Sequence, residues 1–457
     1  MERLTKISYP TFTKEFRYDS DGRISDEIYA FNGGGQTITS SYDYDQFGRL
    51  HTMTGPGGNV SYEYNAQGQR IAVSDMSGTT RFGYDRWGQL QSLTDAAGQT
   101  TRFMHDTSGK LLHEVRPLNQ RTSFSYDAQG RLETITDAKD QLTDYGYDDQ
   151  SRLETIAYAD GRSVTLRYDA DGHLAGYDDG VTSATYEYDE LGRKTTETVD
   201  YGAFSKSFSY TYAANGLKSS FTAPNGTTYD YTYGANNELR EVKIPHLGAI
   251  TFAEYQWNRP TTIVYPGGTT RKMEYDGLMR LTRLTSNTAG GNILLDASYT
   301  YDHSGNIMKK QTEHGEYVYG YDAASRLTSA EHPILDDESY AYDAVGNRTS
   351  AFNADGEIRH NANNELERYG ELEYAYDENG NMTDVRLSGT VVFTYHDNAD
   401  NRLITVKGGH NNTIAEYYDD PFGRRLWKDA NQTRTYFFYS DEGLVAEFDL
   451  SGSEVRS

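Results

Sequence analysis

An acidic residue and a basic residue recur four positions apart along this chain. Asp127 and Arg131, within the segment Phe124 to Leu132, represent the pattern. A carboxylate beside a guanidinium could serve acid–base chemistry, or the two could simply belong to a turn. Because the same pattern returns along nearly the whole sequence, we interpret it as a structural repeat, in which Asp127 and Gly130 turn the chain.

Two turns of this kind imitate the start of a calcium-binding loop. They are Asp19-Ser-Asp21-Gly22 and Asp169-Ala-Asp171-Gly172. Neither supplies the remaining ligands or the glutamate at the twelfth position that such loops require. The 11 histidines are scattered, with no His-Glu-x-x-His motif. We therefore expect no metal site.

The sequence contains no motif for a catalytic nucleophile or for nucleotide binding. There is no Gly-x-Ser-x-Gly elbow and no phosphate-binding P-loop. The chain contains 0 Cys, which excludes disulfides, thiolate metal sites and a cysteine nucleophile. The sequence thus predicts no catalytic residue and no cofactor.

The repeat has the form Tyr-Asp-x-x-Gly-Arg-Leu. From Tyr44 to Tyr188 successive units are spaced by 20 or 21 residues, and His105 holds the tyrosine position once. About twenty units are predicted across residues 1–457, which we treat as one array. Later units are placed at Tyr212, Tyr233, Tyr255, Tyr275, Tyr301, Tyr321, Tyr342, Tyr376, Tyr395, Tyr418 and Tyr439.

The residues that define the repeat are assigned structural roles. Asp caps backbone N–H groups of the turn and Gly adopts positive φ. The clearest copies are Tyr18, Asp19, Gly22, Tyr44, Asp45, Gly48, Tyr84, Asp85, Gly88, Tyr126, Asp127, Gly130, Tyr168, Asp169, Gly172, Tyr188, Asp189, Gly192, Tyr301, Asp302, Gly305, Tyr342, Asp343, Gly346, Tyr376, Asp377 and Gly380.

Aromatic residues alternate before each turn, as in Phe124/Tyr126, which indicates a strand with one aromatic face. A second turn near the middle of each unit makes the unit a pair of strands of about six to eight residues. No segment has the periodicity and capping of a helix. Asn32 to Gly35 and Thr288 to Asn292 fall in longer units and are predicted to be lengthened loops. The fold class is therefore all-β, a tandem array of β-hairpins.

The composition of the chain limits the classes of molecule that it could bind. A net charge of −25 opposes binding to a phosphate backbone, so no nucleic acid is expected. No stretch has the length and apolar character of a membrane span or a signal peptide. Repeated tyrosines could stack on sugars, but we favour a role in the sheet over a glycan surface.

Tyr-Asp-x-x-Gly-Arg-Leu at such intervals resembles the YD-repeat, or Rhs-repeat, family. The resemblance implies a hairpin array that spirals as a curled sheet into a hollow shell or part of one. In bacterial Rhs proteins and the B and C subunits of Tc toxins such a shell encloses a C-terminal toxin, and teneurins use a similar shell in adhesion.

Bacterial members also carry an aspartyl autoprotease core with an Asp-Pro-x-x-Gly-Arg signature. The nearest segment here contains Asp420-Pro421, but only one residue precedes Gly423. It aligns better with an ordinary repeat turn from Tyr418 to Arg424, so we expect no protease. Tyr439 to Gly452 resembles the segment before that core, and both ends of the chain are expected to cut the array open.

The resulting hypothesis is a non-enzymatic shell, or a fragment of one, that encloses a toxin or other polypeptide cargo for delivery in interbacterial or host-directed competition. Its partners would be that cargo or further shell segments. It would be secreted by a specialised bacterial system, or lie in the cytoplasm before export. The alternative is an extracellular adhesion or carbohydrate-binding module of the teneurin type.

Overall fold

The computed structural model describes residues 3–9, 12–31 and 37–456. These residues form two compact units, each built from two segments of the chain. Unit 1 comprises residues 1–103 and 252–364, and unit 2 comprises residues 104–251 and 365–457. The predicted loop at Asn32 to Gly35 lies outside the described residues.

The described part of the chain contains strands and turns and no α-helix. The first 22 strands are β1 Lys6–Ser8, β2 Phe12–Tyr18, β3 Ile24–Phe31, β4 Thr37–Tyr44, β5 Leu50–Gly55, β6 Gly58–Tyr64, β7 Arg70–Ser74, β8 Thr79–Tyr84, β9 Leu90–Thr94, β10 Thr100–His105, β11 Leu111–Val115, β12 Arg121–Tyr126, β13 Leu132–Thr136, β14 Leu142–Tyr147, β15 Leu153–Tyr158, β16 Ser163–Tyr168, β17 Leu174–Asp178, β18 Ser183–Tyr188, β19 Lys194–Asp200, β20 Ser205–Tyr212, β21 Lys218–Thr222 and β22 Thr228–Tyr233.

The remaining strands are β23 Leu239–Ile244, β24 Gly248–Gln256, β25 Arg259–Val264, β26 Thr270–Tyr275, β27 Leu281–Asn287, β28 Ile293–Tyr301, β29 Ile307–Thr312, β30 Gly315–Tyr321, β31 Leu327–Glu331, β32 Glu338–Tyr342, β33 Arg348–Ala351, β34 Ile358–His360, β35 Leu366–Tyr369, β36 Leu372–Tyr376, β37 Met382–Leu387, β38 Thr390–Asp397, β39 Leu403–Gly408, β40 Thr413–Asp419, β41 Arg425–Ala430, β42 Thr433–Ser440, β43 Gly443–Phe448 and β44 Glu454–Arg456.

Within each unit, strands adjacent in sequence pair antiparallel, as in β12–β13 and β13–β14. This is the predicted all-β hairpin array. A β-bulge, which the sequence pattern does not predict, lies at the repeat tyrosine. In β12, for example, the register shifts between Ser125 and Tyr126, so that Tyr126 lies opposite Leu132. A bulge adds local twist, and this one recurs in both units.

The prediction of a lengthened loop at Thr288 to Asn292 is wrong. Thr288 N–H donates to the carbonyl of Asn292 at 2.9 Å, which closes the same five-residue turn used by other repeats. The extra residues instead lengthen the flanking strands to 7 residues in β27 and 9 in β28. A longer ladder satisfies the added backbone groups that a longer loop would leave to solvent.

A hydrophobic core lies within unit 2, where strands β16 to β21 pack against β41 to β43. Phe208 and Phe438 meet edge to face with ring centroids 5.7 Å apart, and Tyr201 and Tyr436 do so at 5.3 Å. Each such aromatic pair contributes about 0.5–1.5 kcal/mol beyond its buried area. The buried members are Val164, Leu166, Tyr177, Ala184, Val199, Tyr201, Phe208, Tyr210, Phe221, Leu426, Tyr436, Phe438, Ala446 and Phe448.

Unit 1 buries smaller side chains. Its fully buried apolar residues among those described are Ile28, Ala72, Ala297, Ala330, Ala351 and Ile358. Its repeat aromatic residues are half-buried along the strands. Unit 1 thus has a thin aliphatic core and a sheet whose aromatic face is partly exposed to solvent.

Candidate functional site

The repeat turn is a five-residue loop closed by its aspartate. In the copy at Asp127, the carboxylate oxygen Oδ1 accepts backbone N–H bonds from Gln129 at 3.0 Å and Arg131 at 2.8 Å. Oδ2 accepts from Arg131 Nε at 2.7 Å. Gly130 has φ +84°, the left-handed conformation that a side chain disfavours. The recurring Asp and Arg therefore satisfy each other inside a turn.

All nine predicted copies place their residues in this way. The glycines Gly22, Gly48, Gly88, Gly130, Gly172, Gly192, Gly305, Gly346 and Gly380 have φ between +73° and +93°. The carboxylates of Asp19, Asp45, Asp85, Asp127, Asp169, Asp189, Asp302, Asp343 and Asp377 accept backbone N–H bonds of their turns.

The tyrosines join one repeat to the one before it. Tyr147 Oη donates to the carbonyl oxygen of Leu132 at 2.8 Å, and Leu132 is the first strand residue after the preceding turn. Fifteen tyrosines make this bond at 2.6 to 3.1 Å, namely Tyr18, Tyr44, Tyr64, Tyr84, Tyr126, Tyr147, Tyr168, Tyr188, Tyr212, Tyr233, Tyr275, Tyr301, Tyr321, Tyr342 and Tyr376.

The arginine of one turn covers the tyrosine ring of the next. The guanidinium carbon of Arg131 lies 4.4 Å from the centroid of the Tyr147 ring, and Arg326 lies 5.0 Å from Tyr342. Arg326 Nη1 also donates to the backbone oxygen of Asp343 at 2.6 Å. We call this arrangement of arginine, tyrosine and carbonyl the repeat junction. Sequence reasoning missed it, although the recurrence of both Arg and Tyr about every 20 residues carries the signal.

Two late repeats depart from the predicted register. The bulge falls between His396 and Asp397 in one and between Tyr418 and Asp419 in the other. Asp397 and Asp419 therefore occupy the position that the junction tyrosine holds in other repeats. The prediction that Tyr395 and Tyr418 occupy this position is wrong. The turn that follows Asp419 begins at Asp420, because Asp420 N–H donates to the carbonyl of Arg424 at 2.8 Å. In the sequence, the three-residue step from Asp420 to Gly423 indicates this register.

A buried charge cluster ties the two segments of unit 2 together. Arg424 Nη1 donates to Glu197 Oε1 at 2.8 Å, and Arg424 Nε donates to Asp420 Oδ2 at 2.6 Å. Lys194 Nζ lies 2.8 Å from Glu197 Oε2 and 2.6 Å from Asp441 Oδ1. Glu197 is 0% exposed and Asp420 is 1% exposed. Both carboxylates are thus fully paired.

The electrostatics of this cluster favour fixed charges over proton transfer. Burial disfavours the charged form of Arg424, but Asp420 and Glu197 outweigh that cost and raise its pKa. Asp420 Oδ1 also accepts backbone bonds from Phe422 at 3.0 Å and from Arg424 at 2.8 Å. The Asp420-Pro421 segment is a repeat turn whose carboxylate is occupied by its own donors.

One group of side chains could bring ligand atoms to a metal ion. Asp169, Asp171 and His173 can place one ligand atom each within 4.8 Å of the others. Asp169 already accepts backbone N–H bonds from Asp171 and His173, and its Oδ2 lies 3.0 Å from His173 Nδ1. These are the contacts of the repeat turn, so the group carries no argument for a bound ion.

In the part of the chain that the structure describes, no helix is long and apolar enough to cross a membrane.

The fold defines a shell-type protein built from YD hairpins. A family model for the teneurin YD-shell matches residues 99–178 and 247–445, and a model for the RHS repeat matches residues 44–80 and 64–101. The first model alone matches more than half of the chain. The chain belongs to the teneurin YD-shell family, as the sequence resemblance predicted.

Solved Tc toxin structures share the fold. The crystal structure of TcdB2-TccC3-Cdc42 matches with a TM-score of 0.63 and 13% identity over 97% of this chain and 32% of that one. A structure of the Photorhabdus luminescens Tc holotoxin pore, carrying a TccC3 mutation, matches with a TM-score of 0.65 and 13% identity over 95% and 31%.

Curated relatives are much longer than this chain. The tRNA3(Ser)-specific nuclease WapA of Bacillus spizizenii is 27% identical over 50% of this chain and 10% of its own length. The double-stranded DNA deaminase toxin A of Burkholderia cenocepacia is 29% identical over 35% of this chain and 10% of its own length. The chain thus aligns with about a tenth of each of these relatives.

Proposed function

We propose that this chain is a non-enzymatic shell, or a segment of one, that encloses a toxin or other polypeptide cargo until delivery in interbacterial or host-directed competition. The observation that carries the proposal is the array of hairpins, repeated through both units and joined by repeat junctions. Such an array offers a broad sheet surface to a bound chain. We also propose that residues 1–457 act as one array.

The names of the relatives support a toxin as cargo. A nuclease and a deaminase toxin each align with this chain over about a tenth of their length. We infer that the aligned part is their repeat region and that their activities lie elsewhere. For this chain, the cargo would then be a segment of the same longer protein or a separate polypeptide.

A structural role for Asp420 supports the non-enzymatic part of the proposal. Its carboxylate closes a turn and pairs with Arg424, so it is held as an acceptor and not as an acid or a base. If the protein is a self-cleaving enzyme instead, intact mass spectrometry after long incubation will show a shorter chain, and replacing Asp420 by Asn will preserve the full length.

The net charge of −25 supports the exclusion of nucleic acid as a partner. We propose secretion by a specialised bacterial system, or residence in the cytoplasm before export. The further partners would be the remaining shell segments of a larger protein.

Electron microscopy of the purified chain tests the shell directly. We expect hollow or C-shaped particles, and compact globules would contradict the proposal. Cargo protection is tested with an unfolded, chemically reduced polypeptide and a protease. We expect slower digestion with the native chain than with the same chain denatured by heat, and equal digestion would contradict enclosure.

The alternative of an adhesion or glycan-binding module rests on the tyrosines. Fifteen of them donate their hydroxyl groups to backbone carbonyls, which favours their role in the sheet. A glycan array decides between the two hypotheses. Specific binding that is lost when outward aromatic residues such as Trp87 are replaced would favour the module.

A further inference from the structure

An open cleft of about 550 Å³ lies in unit 2 at the junction occupied by Asp419. Residues of β39 to β42 and of the turns before β39 and β41 line it, including Arg402, Leu403, Arg425 and Phe437. We call it the Asp419 cleft. It lies on the face of these strands that carries Phe437 and Tyr439, whereas Tyr436 and Phe438 of the same strand point into the core.

The cleft exists because this junction lacks its ring. At other junctions, the basic side chain of one turn lies against the tyrosine of the next, as Arg131 does at Tyr147. Here Arg402 is the corresponding arginine, and its guanidinium lies over Gly423. The residue in the tyrosine position is Asp419, which lies opposite Arg425 across the bulge. An aspartate side chain is too short to fill the space of a phenol ring.

The lining carries an excess of positive charge. Asp419 is paired with Arg425, whose Nε lies 2.9 Å from Asp419 Oδ1. Lys428 is exposed and makes no ion pair among the described residues. Within the described ranges, the single ion contact of the Arg402 guanidinium is with Asp400 at 3.9 Å. Two cations are therefore left with weak or no partners inside a chain of net charge −25.

The same cleft has apolar and aromatic walls. Leu403 and Phe437 line it, and Tyr417 is covered by Arg425 at 4.2 Å from its ring centroid. Tyr439 also lines it, and its hydroxyl makes no hydrogen bond among the described residues, unlike the fifteen junction tyrosines. The cleft thus combines space for a ring, a free hydroxyl group and two available cations.

We propose that the Asp419 cleft binds an aromatic side chain of an extended polypeptide whose neighbouring residue is a carboxylate. The ring would enter beside Leu403 and beneath Arg402, as a junction tyrosine does elsewhere. The carboxylate would pair with Lys428 and Arg402. The incoming polypeptide would thereby supply in trans the Tyr-Asp pair that other repeats supply within the chain.

The overall negative charge does not prevent this interaction. At physiological salt the Debye length is about 8 Å, so distant carboxylates are screened while cations in direct contact are not. A charge-assisted hydrogen bond to a cation is about twice as strong as a neutral one. The local cations therefore decide the specificity, and the inference stands independently of whether the protein encloses a cargo.

Isothermal titration calorimetry of the full chain at about 0.15 M salt tests the proposal. The probe is a short peptide with one Tyr between two Asp. Matched peptides replace the Tyr by Ala or both Asp by Lys. We expect binding of the first peptide and at least about tenfold weaker binding of the other two, since each loses one class of contact. Absence of binding by the first peptide, or equal binding of all three, would overturn the proposal.

Two variants locate the site. Asp419→Tyr places a ring in the cleft and is expected to abolish binding, and Lys428→Glu is expected to weaken it at least about tenfold. Lys272→Glu, at an exposed strand lysine of unit 1, is the matched control and should bind like the parent. If Asp419→Tyr does not fold, Lys428→Glu decides alone. Binding by Lys428→Glu equal to that of the control would refute the site.

Discussion

At the scale of single residues, the repeat depends on one backbone conformation. The fourth residue of the Asp turn has positive φ whether it is glycine or not, since Ser151 has φ +64° and Met279 has φ +62°. A side chain in this conformation costs about 1–2 kcal/mol per residue. Glycine is therefore energetically favoured at this position, and repeats that carry another residue there are less stable.

Replacing Gly130 by Val tests this preference. Gly130 has φ +84°, and a Cβ there would also collide with the amine of Lys110. We expect a loss of about 2 kcal/mol in unfolding free energy, measured by urea denaturation, because a β-branched residue resists this conformation. Gly57→Val is the control, since Gly57 has open space around its Cβ position and no positive φ. Equal stability of the two variants would contradict the assigned role.

Residue types indicate the chemistry of most turns, but they do not fix every loop length or every register. The Asp-to-Gly step and the period of about 20 residues give the turn chemistry directly. Tyr417 and Tyr418 precede two aspartates, so the tyrosine pattern pointed to the wrong position. The backbone pairing places Asp419 at the junction, in agreement with the three-residue step from Asp420 to Gly423. Local motifs specify a turn, whereas bulge position depends on the partner strand.

At the scale of the strand pair, the junction joins adjacent hairpins through side chains as well as through the ladder. Each junction couples the turn of one repeat to the strand end of the next. In repeat arrays, where neighbouring repeats supply most contacts, stability is approximately a sum of such nearest-neighbour contributions. The tyrosine ring, its hydroxyl group and the arginine of a junction can each be removed by a different substitution.

Tyr147→Phe removes the hydroxyl group and keeps the ring. Tyr147 Oη donates to Leu132 at 2.8 Å, so the variant leaves that carbonyl without this donor. We expect a loss of about 1 kcal/mol, which is typical of one hydrogen bond, together with faster hydrogen exchange in β13 and β14. Tyr395→Phe is the control, because the Tyr395 hydroxyl makes no hydrogen bond among the described residues, and it should be neutral. Equal effects of the two changes would dismiss the junction bond.

At the scale of the whole chain, the array could be predicted because its signal is repeated about twenty times. The packing of residues 104–251 against 365–456 within unit 2 could not, because it depends on contacts between residues more than two hundred positions apart. Glu197 and Arg424 are an example, since neither stands out in its own repeat. The sequence showed the hairpins and not which faces would be buried together.

Glu197→Gln tests the tie between these segments. Glu197 is 0% exposed and pairs with Arg424 and Lys194. Removing one partner of a buried ion pair leaves uncompensated charge and typically costs about 3–5 kcal/mol. We expect a loss of that order and earlier proteolysis of residues 365–456. Glu316→Gln, in an exposed pair with Lys309 at 3.1 Å, should cost less than about 1 kcal/mol. Similar losses would show that the buried cluster is not essential.

The pH range of stability follows from the same architecture. In the folded chain, the side-chain bond to Arg193 lowers the pKa of Asp189, and the backbone bond from Arg152 lowers that of Asp148. A carboxyl with a depressed pKa stabilises the fold above its unfolded pKa of about 3.9. That contribution is lost as pH falls through the folded pKa, so we expect the urea midpoint to decrease below about pH 4.

At alkaline pH the fold loses stability because tyrosines lose protons in the unfolded chain. Burial raises the pKa of Tyr158 and of Tyr231 to about 12. Above about pH 10 these tyrosines ionise in the unfolded chain but stay protonated in the fold. The unfolded state then binds fewer protons, so stability falls as pH rises from about 10 to about 12. Replacing both residues by Phe removes these two contributions and should make the fall in urea midpoint shallower. An unchanged slope would show that other groups govern alkaline unfolding.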